Sequence, residues 1–445
     1  MDLAQRYQHV GILGAGGKMG SGIALLLTQE MVLRKVAPEG RKQPFRLVLM
    51  DVSDAALDGL KGYLRGQMLR FAEKSMVQIR ALYADRQDLV ENGEIIDNFI
   101  DEALDLARYS TCLESLAGCR MVFEAIAENI DLKVKIYRKL KDLVDPDAYF
   151  FTNTSSIPIH LLDKEAGLGG RMVGFHFYNP PAVQKLLELI TAPETQPQVV
   201  ADAKQVAKDL KKTIIPANDI AGFIGNGHFI RDGLHGIALA ERLTKEHGFP
   251  GAIYMVNRIT QDWMIRPMGI FQLIDYVGVD VFQCILGVMD RFIVPEDLHS
   301  DLIDELMNRG VRGGQNPDGS QKDGFFRYEK GKPVAVYDFE KRAYQALDSA
   351  WVEPFDRALG ALPASHAAWK VLSRDAEKDR KLKEYFANLA AGQTTGCKLA
   401  AEYLKRSKEI GTHLLKSGVA AKPEDVNGVL LNGFFHLYGP INEYI

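Results

Sequence analysis

The chain has 445 residues, 47% of them hydrophobic and 25% charged, with a formal net charge of −4. That length allows two or three domains with a substantial core. The charge balance is that of a globular chain without a basic run, which excludes nucleic acid as an expected partner. The cysteines Cys112, Cys119, Cys284 and Cys397 form no CxxC pair, so no zinc site, other metal site or disulfide framework is expected, and a reducing compartment is. The N-terminus runs almost directly into Val10-Gly11-Ile12-Leu13, leaving no room for a signal peptide, and no apolar stretch reaches membrane-spanning length. The expectation is a cytoplasmic protein with a small-molecule substrate.

The first half alternates short apolar runs with helical segments. Val10 to Leu13, Leu47 to Met50, Met121 to Glu124, Tyr149 to Thr152 and Met172 to Phe175 predict buried parallel strands. Helices between them make βαβ units, so the predicted fold is α/β, a Rossmann-like doubly wound sheet. After the first run comes Gly14-Ala15-Gly16-Gly17-Lys18-Met19-Gly20, opening a helix from Ser21 to Gln29. Glycines there let the backbone turn tightly and approach a pyrophosphate at the helix N-terminus. Gly14, Gly16 and Gly20 are spaced GxGxxxG, one residue longer than the usual fingerprint, and a plain βα turn would also use glycines. Asp51, ending the second strand, strengthens the cofactor reading: an acid there binds ribose hydroxyls and repels a 2′-phosphate, favouring NAD. It could equally cap the next helix. Lys18 is read as a solvated helix-terminus charge, with contact to the pyrophosphate as the alternative.

Two stretches exceed a minimal unit. Val32 to Arg46 is basic and contains proline; Glu73 to Arg108 shows helical spacing at Ile96, Phe99, Ile100, Ala103 and Leu104 and is read as an inserted helical hairpin. Beyond about Pro216 strand signals fade. Helical patterns run from Gly222 to Leu243, break at a loop from Gly310 to Gly324, and resume from Phe339 to the end. The predicted domains are 1–215, 216–338 and 339–445, the last two all-α. An internal repeat supports a duplicated helical block: His247-Gly248-Phe249 through Ile259 to Arg266-Pro267-Met268-Gly269-Ile270, and Ser417-Gly418-Val419 through Val426 to Tyr438-Gly439-Pro440-Ile441.

The residues that carry chemistry lie in the first half. Phe175-His176-Phe177-Tyr178-Asn179-Pro180-Pro181 precedes Glu188 by a short interval and follows Asn153-Thr154-Ser155-Ser156. A histidine takes a proton near neutral pH, and a carboxylate beside it fixes its tautomer and stabilises the imidazolium. Ser155 can hydrogen-bond a substrate hydroxyl. Hydride leaves a carbinol carbon only as the hydroxyl proton is withdrawn, so such a base beside a dinucleotide would suit a dehydrogenase. A histidine ending an apolar strand can also be an ordinary core residue, and Glu188 a surface one.

In order along the chain these elements resemble the L-3-hydroxyacyl-CoA dehydrogenase family. Glu124-Ala125-Ile126-Ala127-Glu128-Asn129 with Leu132-Lys133 is similar to its segment after the fourth strand. Asn153-Thr154-Ser155-Ser156 matches its SNTSS element with Thr152 in place of the first serine. His176-Phe177-Tyr178-Asn179-Pro180 matches HFFNP, and Lys185-Leu186-Leu187-Glu188 matches KLVE. Asp219 through Gly222-Phe223-Ile224-Gly225-Asn226 matches DTPGFIVNR, and Arg266-Pro267-Met268-Gly269 with Leu273-Ile274-Asp275 resembles the start of the helical domain. Gly324-Phe325-Phe326-Arg327-Tyr328 is similar to its GFYxY ending. The resemblance covers roughly residues 8 to 330. It implies that His176 is the general base, that Glu188 stabilises its imidazolium, that Ser155 hydrogen-bonds the substrate oxygen, and that Asn226 binds the substrate near the reacting carbonyl. It implies that Gly14, Gly16, Gly17, Met19, Gly20, Asp51, Glu128, Lys133, Asn153 and Asn179 surround NAD. It also implies an acyl-CoA substrate, and either a homodimer or a monomer whose second helical block takes the place of a second subunit.

The chain departs from the family in its longer glycine turn, in Gly227 where the family has arginine, and in the two long stretches before the second strand and after residue 73. Lys61, Arg65, Arg70 and Lys74 lie where the family places a helical arm near CoA and are read as solvated charges. Two other functions stay open: a dehydrogenase of a free 3-hydroxy acid or sugar acid, such as an L-gulonate dehydrogenase of the lambda-crystallin type, and a non-catalytic NAD-binding or structural protein.

Overall fold

In the computed structural model, which describes residues 1–316 and 319–444, the chain divides into two units, Met1–Asp219 and Ile220–Ile445. The first begins with α1 (Leu3–Tyr7), β1 (His9–Leu13), α2 (Lys18–Val36), β2 (Arg46–Met50), α3 (Asp54–Lys74), α4 (Met76–Leu82), α5 (Asn92–Leu106) and β3 (Ala107–Ser110). It continues with β4 (Met121–Glu124), α6 (Ile130–Leu143), β5 (Tyr149–Thr152), α7 (Ile159–Ala166), β6 (Met172–Phe177), β7 (Leu186–Thr191), α8 (Pro197–Asp209) and β8 (Thr213–Asn218). All eight strands form one sheet in the order β3-β2-β1-β4-β5-β6-β7-β8. Strands β1 to β6 are parallel, β7 runs antiparallel to β6, and β8 is parallel to β7.

The five apolar runs are all strands. Three further strands carry polar residues that hid them. Arg108 and Tyr109 lie on the edge strand β3, Glu188 interrupts β7, and Pro216 sits in β8, an edge strand that needs no donor on its open side. The predicted hairpin at 73–108 therefore needs correcting at its end: it holds α4 and α5 but finishes in β3. Its longer helix buries Ile95, Phe99, Ile100, Ala103 and Leu106, and its first turn is closed by Glu94 accepting from Glu91 N. The expected boundary after residue 215 falls inside β8.

Strand alternation sorts the sheet into faces. Phe123, Phe151, Phe175 and Phe177 share one core layer with Leu187 and Leu189. Their rings pack stacked (Phe123–Phe151, 4.6 Å) or edge-on (Phe151–Phe175 and Phe175–Phe177, both 5.2 Å). Each such pair adds roughly 0.5–1.5 kcal/mol beyond area burial. His176 and Glu188 consequently point to the opposite face.

The second unit contains α9 (Gly225–Arg258), α10 (Ile270–Val277), α11 (Val279–Phe292), α12 (Asp301–Asn308), β9 (Phe326–Glu329), β10 (Lys332–Asp338) and β11 (Ala343–Ala346). It ends with α13 (Ser349–Leu359), α14 (Trp369–Leu372), α15 (Lys378–Ala391), α16 (Thr395–Lys416) and α17 (Pro423–Gly433). The expectation of an all-α region is corrected here: β9, β10 and β11 make a small antiparallel sheet that runs across the expected boundary at 338. Its last strand, Ala-Tyr-Gln-Ala, is too short and mixed to stand out as a sequence pattern. Of the predicted loop from Gly310 to Gly324, residues 317 and 318 lie outside the described residues. Among the described residues no single helix is long and apolar enough to cross a membrane; α10 and α11 pass that test only jointly, across a 91° bend.

The repeat is a structural one, at an offset of 170 residues. Gly248 and Gly418 have φ of 67° and 76°, and Ile265 and Phe435 share a left-handed backbone at 48° and 55°. Asn257 Oδ1 accepts from Gln272 N at 3.1 Å, and Asn427 Oδ1 from Ile441 N, one position short of the offset, at 3.0 Å. A Cβ on Gly269 would come 2.2 Å from the Asn257 side chain, and one on Gly439 2.1 Å from that of Asn427. Both copies contribute to one hydrophobic core.

Candidate active site

In the order β3-β2-β1-β4 the chain direction of the winding reverses between β1 and β4, where doubly wound sheets bind ligands beyond their strand ends. The glycine turn lies there. Gly14 has φ of 81°, and a Cβ on it would meet the Ala125 carbonyl oxygen at 2.6 Å. A Cβ on Gly20 would lie 1.9 Å from Gly14 O, so the turn tolerates a side chain at neither place. Gly17, exposed, is the helix N-cap and offers no side-chain acceptor, so no side chain caps the first turn of α2. Asp51 accepts from Gly16 N at 2.9 Å and from Ser53 N at 3.1 Å. Its carboxylate is thereby pinned beside the turn, half-buried, with acceptor capacity remaining for ribose hydroxyls. It is Ser53, not Asp51, whose side chain caps α3. The turn, the uncapped helix end and the fixed acid fit a dinucleotide without a 2′-phosphate. Met19 is half-buried in the first turn of α2.

At the end of β4 lies a buried charge network. Glu124 accepts from Lys133 Nζ (2.7 Å), Tyr137 Oη (2.9 Å), Thr152 Oγ1 (2.7 Å) and Ile126 N (2.8 Å). Lys133 also lies 3.2 Å from Glu128. Glu128 in turn accepts from Thr154 Oγ1, Ser155 N (3.1 Å) and Ser156 Oγ (2.9 Å). Burial alone would raise the Glu128 carboxyl, but the Lys133 charge and these hydroxyls outweigh it and hold it below its ordinary value. Burial likewise works against the Lys133 ammonium, and the two carboxylates overcome it, keeping it charged above its ordinary range. The ammonium is thus committed to two carboxylates, one of which, Glu128, holds the loop that follows β5.

That loop, 153–158, follows β5. Asn153 Oδ1 accepts from Phe177 N at 2.9 Å, tying the loop to the end of β6. Ser155 is half-buried on it. On the far side, Asp219 accepts from Ile159 N (2.5 Å) and His160 N (2.7 Å), capping α7.

The β6–β7 pair brings the histidine and the carboxylate together. Its antiparallel register sets His176 directly opposite Glu188. His176 Nδ1 lies 3.0 Å from Glu188 Oε2. The histidine is 8% exposed and Glu188 fully buried. With Nδ1–H donated to the carboxylate, the lone pair of the neutral ring sits on Nε2, the atom available to take a proton. Tyr178 Oη donates to the same Glu188 Oε2 at 2.7 Å. The chain then turns through a cis Asn179–Pro180 bond. Lys212 holds this turn from below, its Nζ donating to the carbonyls of Pro181 and Gln184. Burial lowers the Lys212 amine to about 8. Asn179 is half-buried in the turn, and Asn226 lies in the first turn of α9, in the second unit.

Lys61, Arg65, Arg70 and Lys74 are exposed along α3, and Lys61 pairs with Asp58 at 2.8 Å. Sequence reading gave no individual role to Glu124, Thr152 or Tyr178. The signal for Tyr178 was present: two residues beyond His176 on an extended segment is the same face.

A glycine turn against a pinned acid, at the switch point of a doubly wound sheet that also carries a buried histidine–carboxylate pair, defines the class of NAD-dependent dehydrogenases. The 3-hydroxyacyl-CoA dehydrogenase NAD-binding domain family matches residues 9–220. A probable 3-hydroxybutyryl-CoA dehydrogenase from Deinococcus radiodurans is 27% identical over 326 residues, 72% of this chain and 99% of that protein. A glyoxysomal fatty acid beta-oxidation multifunctional protein from Cucumis sativus is 28% identical over 81% of this chain, which spans only 43% of that longer relative. Among solved structures, 3-hydroxybutyryl-CoA dehydrogenase from Escherichia coli K12 shares the fold over 98% of this chain and 90% of its own, with a TM-score of 0.63 at 19% identity. Residues 9–220 thus form a 3-hydroxyacyl-CoA dehydrogenase NAD-binding domain, whose cofactor is NAD, and the relatives support the L-3-hydroxyacyl-CoA dehydrogenase family for the chain.

Proposed function

We propose that the protein oxidises an L-3-hydroxyacyl-CoA to the 3-ketoacyl-CoA, with His176 as general base. NAD, when bound, supplies the hydride acceptor. His176 Nε2 takes the proton of the 3-hydroxyl as the carbon is oxidised. Glu188, fully buried opposite it, stabilises the imidazolium that results and holds the ring in the tautomer that leaves Nε2 basic. Ser155 steadies the substrate oxygen as a hydrogen-bond donor. Asp51 and the Gly14–Gly20 turn seat the ribose and pyrophosphate. The observation that carries this reading is the His176–Glu188 pair set in register by β6 and β7. Relatives named as 3-hydroxybutyryl-CoA dehydrogenases support the acyl-CoA substrate.

The test is NADH oxidation, followed by absorbance, with acetoacetyl-CoA and with His176→Ala as control. The expected result is turnover by the native protein and a loss of about 10²-fold or more in the variant, the scale of a general base. No turnover by a native protein that still binds NADH would sink the acyl-CoA substrate and point to a free 3-hydroxy acid.

A further inference from the structure

Tyr178 follows β6 on the face that carries His176, and its ring lies against the imidazole with centroids 4.9 Å apart and planes tilted by 37°. Its hydroxyl and the His176 Nδ1 address one atom, Glu188 Oε2, at 2.7 and 3.0 Å. One carboxylate oxygen thus faces two donors of different kinds. The phenol keeps its proton, because burial and the adjacent Glu188 charge push it well above its ordinary range. The imidazole changes charge in every turnover. We propose that Tyr178 is a positioning residue of the proton-transfer pair: its phenol shares Glu188 Oε2 with His176 and limits how strongly the carboxylate holds the imidazolium.

The physical basis is competition for charge density. A hydrogen bond from the phenol withdraws charge from Oε2 in a dry site, where such effects are strong. It also favours the ionised carboxylate, so Glu188 does not itself take the imidazole proton. An imidazolium held too tightly would return its proton slowly. Other charged groups on the elements packed against β6 are engaged or exposed. On α7, His160 pairs with Asp219, Asp163 accepts from Gly170 N, and Lys164 and Glu165 are exposed. On α8, Asp202 lies 4.0 Å from Arg6, Arg34 bonds Asp209, and Lys204 and Lys208 are exposed. Ile215 of β8 stands beside Glu188, Lys212 is bound to loop carbonyls, and Glu128 is matched by Lys133.

The proposal rests on His176 being the base, and its test reads that histidine directly. The His176 ring proton resonance, assigned by its loss in His176→Gln, is titrated by NMR in the native protein and in Tyr178→Phe, with no substrate present. The variant keeps the ring and loses the donor, so the midpoint of His176 should rise by about 0.5–1 pH unit, a roughly three- to tenfold change in proton affinity. The acid limb of kcat/KM against pH should move by the same amount, with the high-pH plateau changed less than about threefold. An unchanged or lowered midpoint overturns the proposal. Should Tyr178→Phe fail to fold, 3-fluorotyrosine at this position keeps the packing and strengthens the donor. The midpoint should then fall, and a rise or no change overturns the proposal. Because the titration needs no turnover, silence towards acetoacetyl-CoA would refute the substrate while leaving this result readable.

Discussion

Glu124, at the end of β4, and Glu188, within β7, are both fully buried carboxylates of one sheet with two strands between them, yet they face opposite kinds of neighbour. Glu124 meets a permanent cation, Lys133, and three further donors. Glu188 meets an imidazole that gains and loses charge and a phenol that stays neutral. The first arrangement is satisfied once and need not change. The second includes a partner whose charge comes and goes with a proton. A buried acid with a fixed counter-charge holds structure; one with a titratable counterpart can take part in proton transfer.

The comparison breaks most sharply at Lys133. Lys133→Met strands a buried carboxylate, and unfolding free energy from urea titration should fall by about 3–5 kcal/mol. Adding Glu124→Gln should recover most of that loss; a single variant as stable as the native protein would contradict a structural role for the pair. At the other carboxylate the effect should appear in rate. Glu188→Gln keeps the volume but removes the charge, and kcat should drop about 10²-fold while the melting temperature moves by only a few degrees. A kcat within tenfold of native would remove Glu188 from the proton transfer. The smallest effect concerns Glu128. Its folded carboxyl lies below the ordinary value of 4.5, so its stabilisation is complete above that pH and is lost as pH falls through the depressed folded value. Acid unfolding of Thr154→Val, which removes one of its donors, should therefore begin at higher pH than in the native protein. Coincident acid transitions would show that the hydroxyl does not hold the carboxylate down.

The central strands were legible because buried parallel strands are short uninterrupted apolar runs. β7 was not, since Glu188 breaks its run, and the residue that hid the strand is the one whose position matters most. The partner atoms of the site were legible as residue types, but their meeting depends on register. His176 and Glu188 lie twelve positions apart in the chain and become neighbours only because β7 turns back along β6. Glu124 was read as part of a motif, and nothing in its local sequence signals that Lys133, Tyr137 and Thr152 converge on it from α6 and β5. In the helical region the repeated glycines were visible, whereas β9 to β11 were masked by short, mixed strands.

The 170-residue offset has a consequence of an evolutionary kind. Two copies of one helical design on a single polypeptide can accept different substitutions, which two identical subunits cannot. The chain has used that freedom at the start of its long helices: where the first copy carries Asn226, the corresponding residue of the second is Gly396. A side chain there would collide with Trp263, whose ring comes within 2.5 Å of where a Cβ would stand. One copy keeps a polar side chain where its counterpart has only a hydrogen and receives an indole, a difference that symmetry would forbid.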